Sequence, residues 1–331
     1  LDVVTTSIKE AIKCAQHIVF TCRGNYHEEA AKKVVPHLED GQIVSYMPDN
    51  YGSFLLKRVM NEENSQRKVL IGGWSSMPFA ARITTRSKDY NRVYLMSRAM
   101  ELRFDTLPST DHLDYIKAMQ CYPCLDIVTP EHADTMIDVN FSNCNPLLHV
   151  PATIFNAGVI ENWGIIPEVG SPDVYFDIYR HGFSTGISNI QWALYKELQK
   201  ITRVLGVGLQ SYNKELFYTR TSVHPVGLMG ESYSVPMNKA IPADTWMIHY
   251  PGERFDLNTR YISEDVPIGC KMAREFGKIA GVTTPVIDSL IMGASLLKGV
   301  DYFNTGFSLE FLGLGKLNKE EILSYLRTGM V

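Results

Sequence analysis

The chain has 331 residues, 45% of them hydrophobic and 21% charged, with a formal net charge of -4. This is globular composition, long enough for two domains. Acids and bases are mixed along it, which excludes a basic stripe for nucleic acid and a polybasic segment for a membrane surface, and no apolar run nears the ~18 residues of a transmembrane helix.

The opening, Leu1-Asp2-Val3-Val4-Thr5-Thr6, has no basic n-region and no signal-like core. It starts inside what reads as an α/β unit, so the expectation is that an N-terminal segment is missing. Ser7 is a candidate N-cap for a helix to Gln16. His17 to Cys22 is a short apolar run, as in a buried strand. Arg23-Gly24-Asn25 turns the chain into a helix from about Tyr26 to Leu38, closed by Asp40-Gly41. Gln42 to Tyr46 reads as the next strand, Pro48 to Gly52 as a turn, and a helix follows to about Met60. Lys68 to Gly73 and Arg92 to Met96 are further strands. Strands and helices alternating at this spacing predict a parallel sheet covered on both faces.

After Pro108 helical periodicity takes over. Helices are expected at 109–120, 130–140, 150–163, 173–204, 264–280 and 285–297, with Gly281 stopping one and Thr284-Pro285 starting the next. Thr219 to Asp256 is irregular and is expected to form a loop or lid. The expected class is α/β plus all-α: residues 1–107 a Rossmann-like dinucleotide-binding domain, N-terminally incomplete, and residues 108–331 a helical substrate and catalytic domain.

The six cysteines are Cys14, Cys22, Cys121, Cys124, Cys144 and Cys270, and only Cys121-Tyr122-Pro123-Cys124 has a C-x-x-C spacing. No second ligand pair accompanies it, so no metal site is expected, and free thiols in a reducing cytoplasm are.

His149 lies in the apolar stretch Asn145 to Asn156. With Thr153 and Asn156 it falls on one helix face. It reads either as a core histidine at a helix start or as a general acid/base titrating near neutrality. In Arg260-Tyr261-Ile262-Ser263-Glu264-Asp265-Val266-Pro267, Ser263 is a candidate N-cap with both acids in the first helical turn. Those acids either complement the helix dipole or, for Asp265, orient an imidazolium and raise its pKa. Arg260 reads as a surface residue or as a fork for a substrate carboxylate. The loop holding Cys22, Arg23 and Gly24, and the equivalent turn at Asn50, follow strands and are candidate cofactor contacts. Trp74 to Arg82, including Ser76, suits a pocket wall or a plain connection. No G-x-G-x-x-G occurs, and Gly313-Leu314-Gly315 follows no strand.

Taken together these segments resemble the octopine/nopaline (opine) dehydrogenase family. The resemblance runs through Ile18 to Glu28, Met77 to Arg82 and Asn145 to Glu161. It continues through Tyr179-Arg180-His181-Gly182 and Asn258 to Gly269, and on to Ala280 to Pro285. It implies an enzyme that condenses a 2-oxo acid, such as pyruvate, with the amino group of an amino acid, using hydride from NADH or NADPH. By resemblance His149 is the catalytic acid/base, Asp265 its carboxylate partner and Arg260 the carboxylate-binding arginine. Ser76 and Asn156 are expected to line the substrate site, and Cys22, Arg23, Gly24 and Asn50 the cofactor site.

Three departures stand out. The family's Gly-rich phosphate loop is absent from the start of this chain. Ser75-Ser76 replaces the Glu-Thr of the octopine branch, which argues against arginine as the amino partner if that acid reads a cationic substrate. Val150 stands where proline often follows the histidine. Two other readings compete: a 2-oxo or 3-hydroxy acid dehydrogenase without amine condensation, and a non-catalytic homologue that lacks cofactor binding. The NAD/NADP choice and the amino acid are not legible. The expected partners are small molecules, with a homodimer compatible.

Overall fold

The computed structural model describes residues 3–83, 93–99, 101–122, 129–173, 176–178, 181–212 and 255–330. Cys124, Tyr179, Arg180 and nearly all of the loop expected at Thr219–Asp256 lie outside the described residues.

The N-terminal layer is a five-stranded sheet. Its first three strands, β1 (His17–Phe20), β2 (Ile43–Tyr46) and β3 (Leu70–Trp74), are parallel neighbours, as the alternating pattern predicts. Helix α1 (Ile8–Ile12) precedes β1, and α2 (His27–Val34) and α3 (Gly52–Glu62) connect the three strands. Strand β2 is buried at every position, which is why it reads as a near-continuous apolar run. One apolar cluster joins Ile12, Ala31, Val34, Val44, Leu56 and Val59. A second joins Ile43, Trp74, Leu102, Phe104, Tyr115 and Met119.

The sheet then departs from the expected parallel order. Strand β6 (Glu101–Thr106) pairs antiparallel with β3, and β7 (Thr129–His132) pairs parallel with β6. The strand expected at 92–96 belongs elsewhere. It is β5 (Val93–Arg98), which forms a separate antiparallel hairpin with β4 (Phe79–Ile83). The break expected after residue 107 cuts across the sheet: α4 (His112–Met119) packs on it and β7 completes it. The helix expected at 130–140 is accordingly β7 followed by α5 (Met136–Phe141), whose N-cap Thr135 accepts from the Ile137 N–H. Thr-Pro-Glu-His has no apolar run to mark it as a strand, and β7 sits at the sheet's edge.

The second body is helical. It contains α6 (Asn145–Phe155), α7 (Ala157–Asn162), α8 (Thr185–Leu205) and α9 (Arg260–Ser263). A π-helical turn (Asp265–Cys270) leads into α10 (Lys271–Ile279), followed by α11 (Pro285–Lys298) and α12 (Lys319–Thr328). The Thr284-Pro285 start of α11 is reinforced across the core: the Glu197 carboxylate accepts from the Val286 and Ile287 N–H groups at 2.8 and 2.9 Å. Helix α12 was not expected, although its capping box, Asn318 with Glu321, is present in the sequence. No helix among the described residues is long and apolar enough to cross a membrane. Cys14, Cys22, Cys121, Cys144 and Cys270 are free thiols.

A polar thread runs through the sheet's second core. Trp74 Nε1 donates to the Tyr115 hydroxyl at 2.7 Å, and that hydroxyl donates to Ser45 Oγ at 2.8 Å. Tyr115 packs directly over Gly72, where an added Cβ would lie 2.2 Å from its ring. Gly72→Ala must therefore displace a buried tyrosine, and overpacking of this kind costs about 1–3 kcal/mol. Gly158→Ala, on α7 with nothing within 4 Å of the new Cβ, is expected to be neutral or stabilising by a few tenths of a kcal/mol, up to ~1. Chemical denaturation of the two variants checks this, and equal stabilities would contradict it.

Candidate active site

Helix α6 is apolar on all sides, and every residue from Leu147 to Thr153 is buried. Pro146 occupies its first turn, where a missing N–H costs nothing. Pro151 sits inside the helix and cannot donate to the carbonyl four residues back. Helix α8 braces it, with Gln191 Nε2 donating to the Leu148 carbonyl at 3.1 Å. His149 is thus held on an interior element and is only 2% exposed.

Its partner arrives from an irregular helix. Thr259 is the N-cap of α9 and accepts from the Tyr261 N–H. Ser263, the expected cap, instead ends α9, so Asp265 is not in the first turn of a regular helix; it opens the π turn. Pro267 lies within that turn. Having no N–H, it leaves the Ser263 carbonyl available four residues back, and that carbonyl accepts from Asn25 Nδ2 at 3.1 Å.

The two sequence-predicted residues meet here. His149 Nδ1 lies 2.8 Å from Asp265 Oδ2, both side chains being buried. A carboxylate can only accept, so Nδ1 carries the proton and Nε2 is the nitrogen whose protonation changes. The imidazole also stacks on the Tyr261 ring, with centroids 3.7 Å apart and planes at 21°. Tyr261 stands within the Arg260–Pro267 motif, and nothing in its spacing signals this stack.

The expectation that Asp265 raises the histidine pKa is corrected in its net result. Burial pushes His149 below its ordinary value. The hydrogen bond and charge of Asp265 push upward against burial, and the nearby Arg260 guanidinium pushes down with it. Arg260 thus acts electrostatically on the imidazole from the exposed start of α9.

The other predicted residues divide into two groups. Cys22, Arg23 and Gly24 follow β1, Asn50 follows β2 and Ser76 follows β3, so all lie at the carboxyl edge of the parallel strands. Arg23 is exposed, and Cys22, Asn50 and Ser76 are half-buried. Gly24 is buried: its N–H donates to Glu264 Oε1 at 3.0 Å, and an added Cβ would lie 2.6 Å from Ile268. Asn50 Nδ2 donates to the same oxygen at 3.2 Å, while its Oδ1 accepts from Asn143 Nδ2 at 2.8 Å. Asn156 is a brace: its Nδ2 donates to the carbonyls of Ala152 and Gly182 at 2.7 and 2.8 Å. The residues the sequence did not single out for the site are therefore Tyr261, Glu264 and Asn143.

Residues 132–298 match the family model described as NAD/NADP octopine/nopaline dehydrogenase, alpha-helical domain. The chain belongs to the octopine/nopaline dehydrogenase family. It is 25% identical over 325 residues to an opine dehydrogenase of Arthrobacter sp. (strain 1C), covering 98% of this chain and 82% of that protein. The fold is similar to octopine dehydrogenase solved with NADH and pyruvate, at TM-score 0.64 and 17% identity over 98% of this chain and 81% of the other. It is also similar to yersinopine dehydrogenase with NADP+ bound, at TM-score 0.61 and 11% identity over 98% and 80%. The matched segment of the octopine/nopaline dehydrogenase model begins where β7 ends and includes His149, Arg260 and Asp265.

A second histidine supports the loop after β1. His27 is fully buried at the start of α2, with Nε2 3.2 Å from the Cys22 carbonyl and its ring edge-on to Tyr46. Burial pushes its pKa down to about 4, against the upward pull of that carbonyl. A histidine depressed on folding gives stability that is complete above its unfolded value near 6.5 and is lost as pH falls toward 4. The loss is about 3 kcal/mol over that window. His27→Gln should flatten the acid limb of a stability–pH profile by about this amount, and an unchanged slope would contradict the assignment.

Proposed function

We propose that this chain is an NAD(P)H-dependent opine dehydrogenase, joining a 2-oxo acid such as pyruvate to the amino group of an amino acid. The observation that carries the reading is the buried His149–Asp265 pair beside Arg260. Condensation of a 2-oxo acid with an amine expels water and leaves a C=N bond. Reduction of that bond needs a hydride at carbon and a proton at nitrogen, and expulsion of the carbonyl oxygen needs a proton donor as well.

Each residue has one part in this. Asp265 holds Nδ1 and fixes the ring plane together with Tyr261, and His149 carries the exchangeable proton on Nε2. Arg260 binds the 2-oxo acid carboxylate through its guanidinium fork. That carboxylate also offsets the Arg260 charge, which adds to burial in depressing the imidazole. Substrate binding therefore favours the protonated ring at the moment a proton is required.

The strand-end edge fits a nicotinamide nucleotide on its outer rim, where Arg23, Asn25 and Tyr26 are exposed at the uncapped approach to α2. When bound, the nicotinamide supplies the hydride. Ligands of parallel α/β sheets bind at this edge. NADH and NADP+ in the similar solved proteins support either dinucleotide. Ser76, on the same edge, and the Asn156 brace border the substrate side in this reading.

His149→Ala and Asp265→Asn should lower NAD(P)H oxidation in the presence of pyruvate and an amino acid by on the order of 10²–10⁴-fold. Titration of NAD(P)H into His149→Ala should give the parent affinity within about threefold, since the imidazole moves a proton and does not hold the nucleotide. Parent-like turnover in His149→Ala would remove the role given to this residue. Oxidation that is equally fast without any amine would favour a 2-oxo acid reductase instead.

A further inference from the structure

Glu264 is a buried acid that forms no ion-pair contact among the described residues, and it stands next to Asp265 in the chain. It is 4% exposed. Oε1 accepts two hydrogen bonds, from the Gly24 N–H at 3.0 Å and from Asn50 Nδ2 at 3.2 Å. Oε2 is buried and has no partner among the described residues. A carboxylate so placed costs stability, because a buried charge with half its acceptor capacity unused is poorly compensated. An apolar side chain would serve simple packing better, but it would leave the Gly24 and Asn50 donors unmet.

The connections explain its place. Gly24 belongs to the loop after β1 and Asn50 to the turn after β2, while the adjoining Ser263 carbonyl accepts from Asn25. Asn50 in turn holds Asn143, whose Oδ1 accepts from the Asn145 N–H that opens α6, the His149 helix. Consecutive helical side chains diverge by roughly 100°, so Glu264 faces the strand ends while Asp265 faces His149. Two strand-end loops therefore converge on one oxygen atom, and the helix that carries the imidazole is tied to it one step removed, through Asn143 and Asn50.

We propose that Glu264 is a positioning residue: by gathering the Gly24 and Asn50 donors on Oε1, it fixes the strand-end edge against the His149–Asp265 pair. The inference rests on the reading of His149 as the proton carrier. Its geometric part has a readout that needs no turnover.

The test compares Glu264→Ala with Glu264→Gln in the full chain. The glutamine keeps a carbonyl oxygen at the same reach and so keeps both donors. The first readout is the downfield proton NMR signal of the His149 Nδ1–H held by Asp265, assigned by its loss in His149→Gln. The second is kcat and KM for the 2-oxo acid. Glu264→Ala should lose or broaden the NMR signal and lower kcat on the order of 10- to 100-fold, with KM within about threefold, because misplacement costs turnover more than binding. Glu264→Gln should restore the signal and bring kcat to within about threefold of the parent.

If Glu264→Ala does not fold, Asn50→Gly carries the test. It keeps the left-handed backbone at φ 40° and deletes one donor, and it should weaken the same signal in the absence of nucleotide. A parent-like signal in Glu264→Ala or, where that variant does not fold, in Asn50→Gly would overturn the proposal. So would a Glu264→Gln variant as impaired as Glu264→Ala. A parent protein inert with every substrate would count against the enzymatic reading alone, and the NMR comparison would still decide the positioning role.

Discussion

An imidazole and a carboxylate are taken out of water together in this protein, and the arrangement around them follows from that. Each group alone would be costly to bury; paired at 2.8 Å they offset much of that cost. The pair requires an apolar element to carry the histidine, which α6 supplies, and a fixed approach for the acid, which the π turn supplies. Removing one partner leaves the other buried with its hydrogen-bonding group unmet, a cost of about 1–3 kcal/mol, so the geometry is held as well as hidden.

The sheet contributes the other half of the site. Its three parallel strands end in loops on one edge, and that edge is tied by Gly24, Asn25 and Asn50 to the segment that carries Asp265. Proline chemistry makes part of the tie: the N–H that Pro267 lacks leaves a carbonyl for Asn25. The joint lies in a member of the octopine/nopaline dehydrogenase family, and the local hydrogen bonds hold it together.

Much of this is legible in the sequence. Buried strands show as short apolar runs, so β1, β2 and β3 were readable, as were α3 and the Thr284-Pro285 start of α11. His149 could be placed on an interior helix by spacing, and its partnership with Asp265 came from the family resemblance. Strand β7, Thr129–His132, was misread as helix because an edge strand of Thr-Pro-Glu-His has no apolar signature. The cap at Thr259 was missed because Ser263 offers equally good chemistry four residues later and only packing decides between them. The net downward pKa of His149 needed the degree of burial, which no local pattern encodes. Glu264 looked like an acid serving a helix dipole; its true partners are more than 200 residues away in the chain.

In the proposed reaction a hydride and a proton are added across a C=N bond formed from a 2-oxo acid and an amine. Mass analysis of the product made with NADH or NADPH deuterated at the transferring position tests it most directly, with pyruvate and a panel of amino acids as substrates. The expected product is a secondary amine dicarboxylic acid with the mass of both substrates less one water plus one deuterium and one hydrogen, the deuterium sitting at the former carbonyl carbon. Deuterated lactate as the sole product, formed whether or not an amino acid is present, would contradict it.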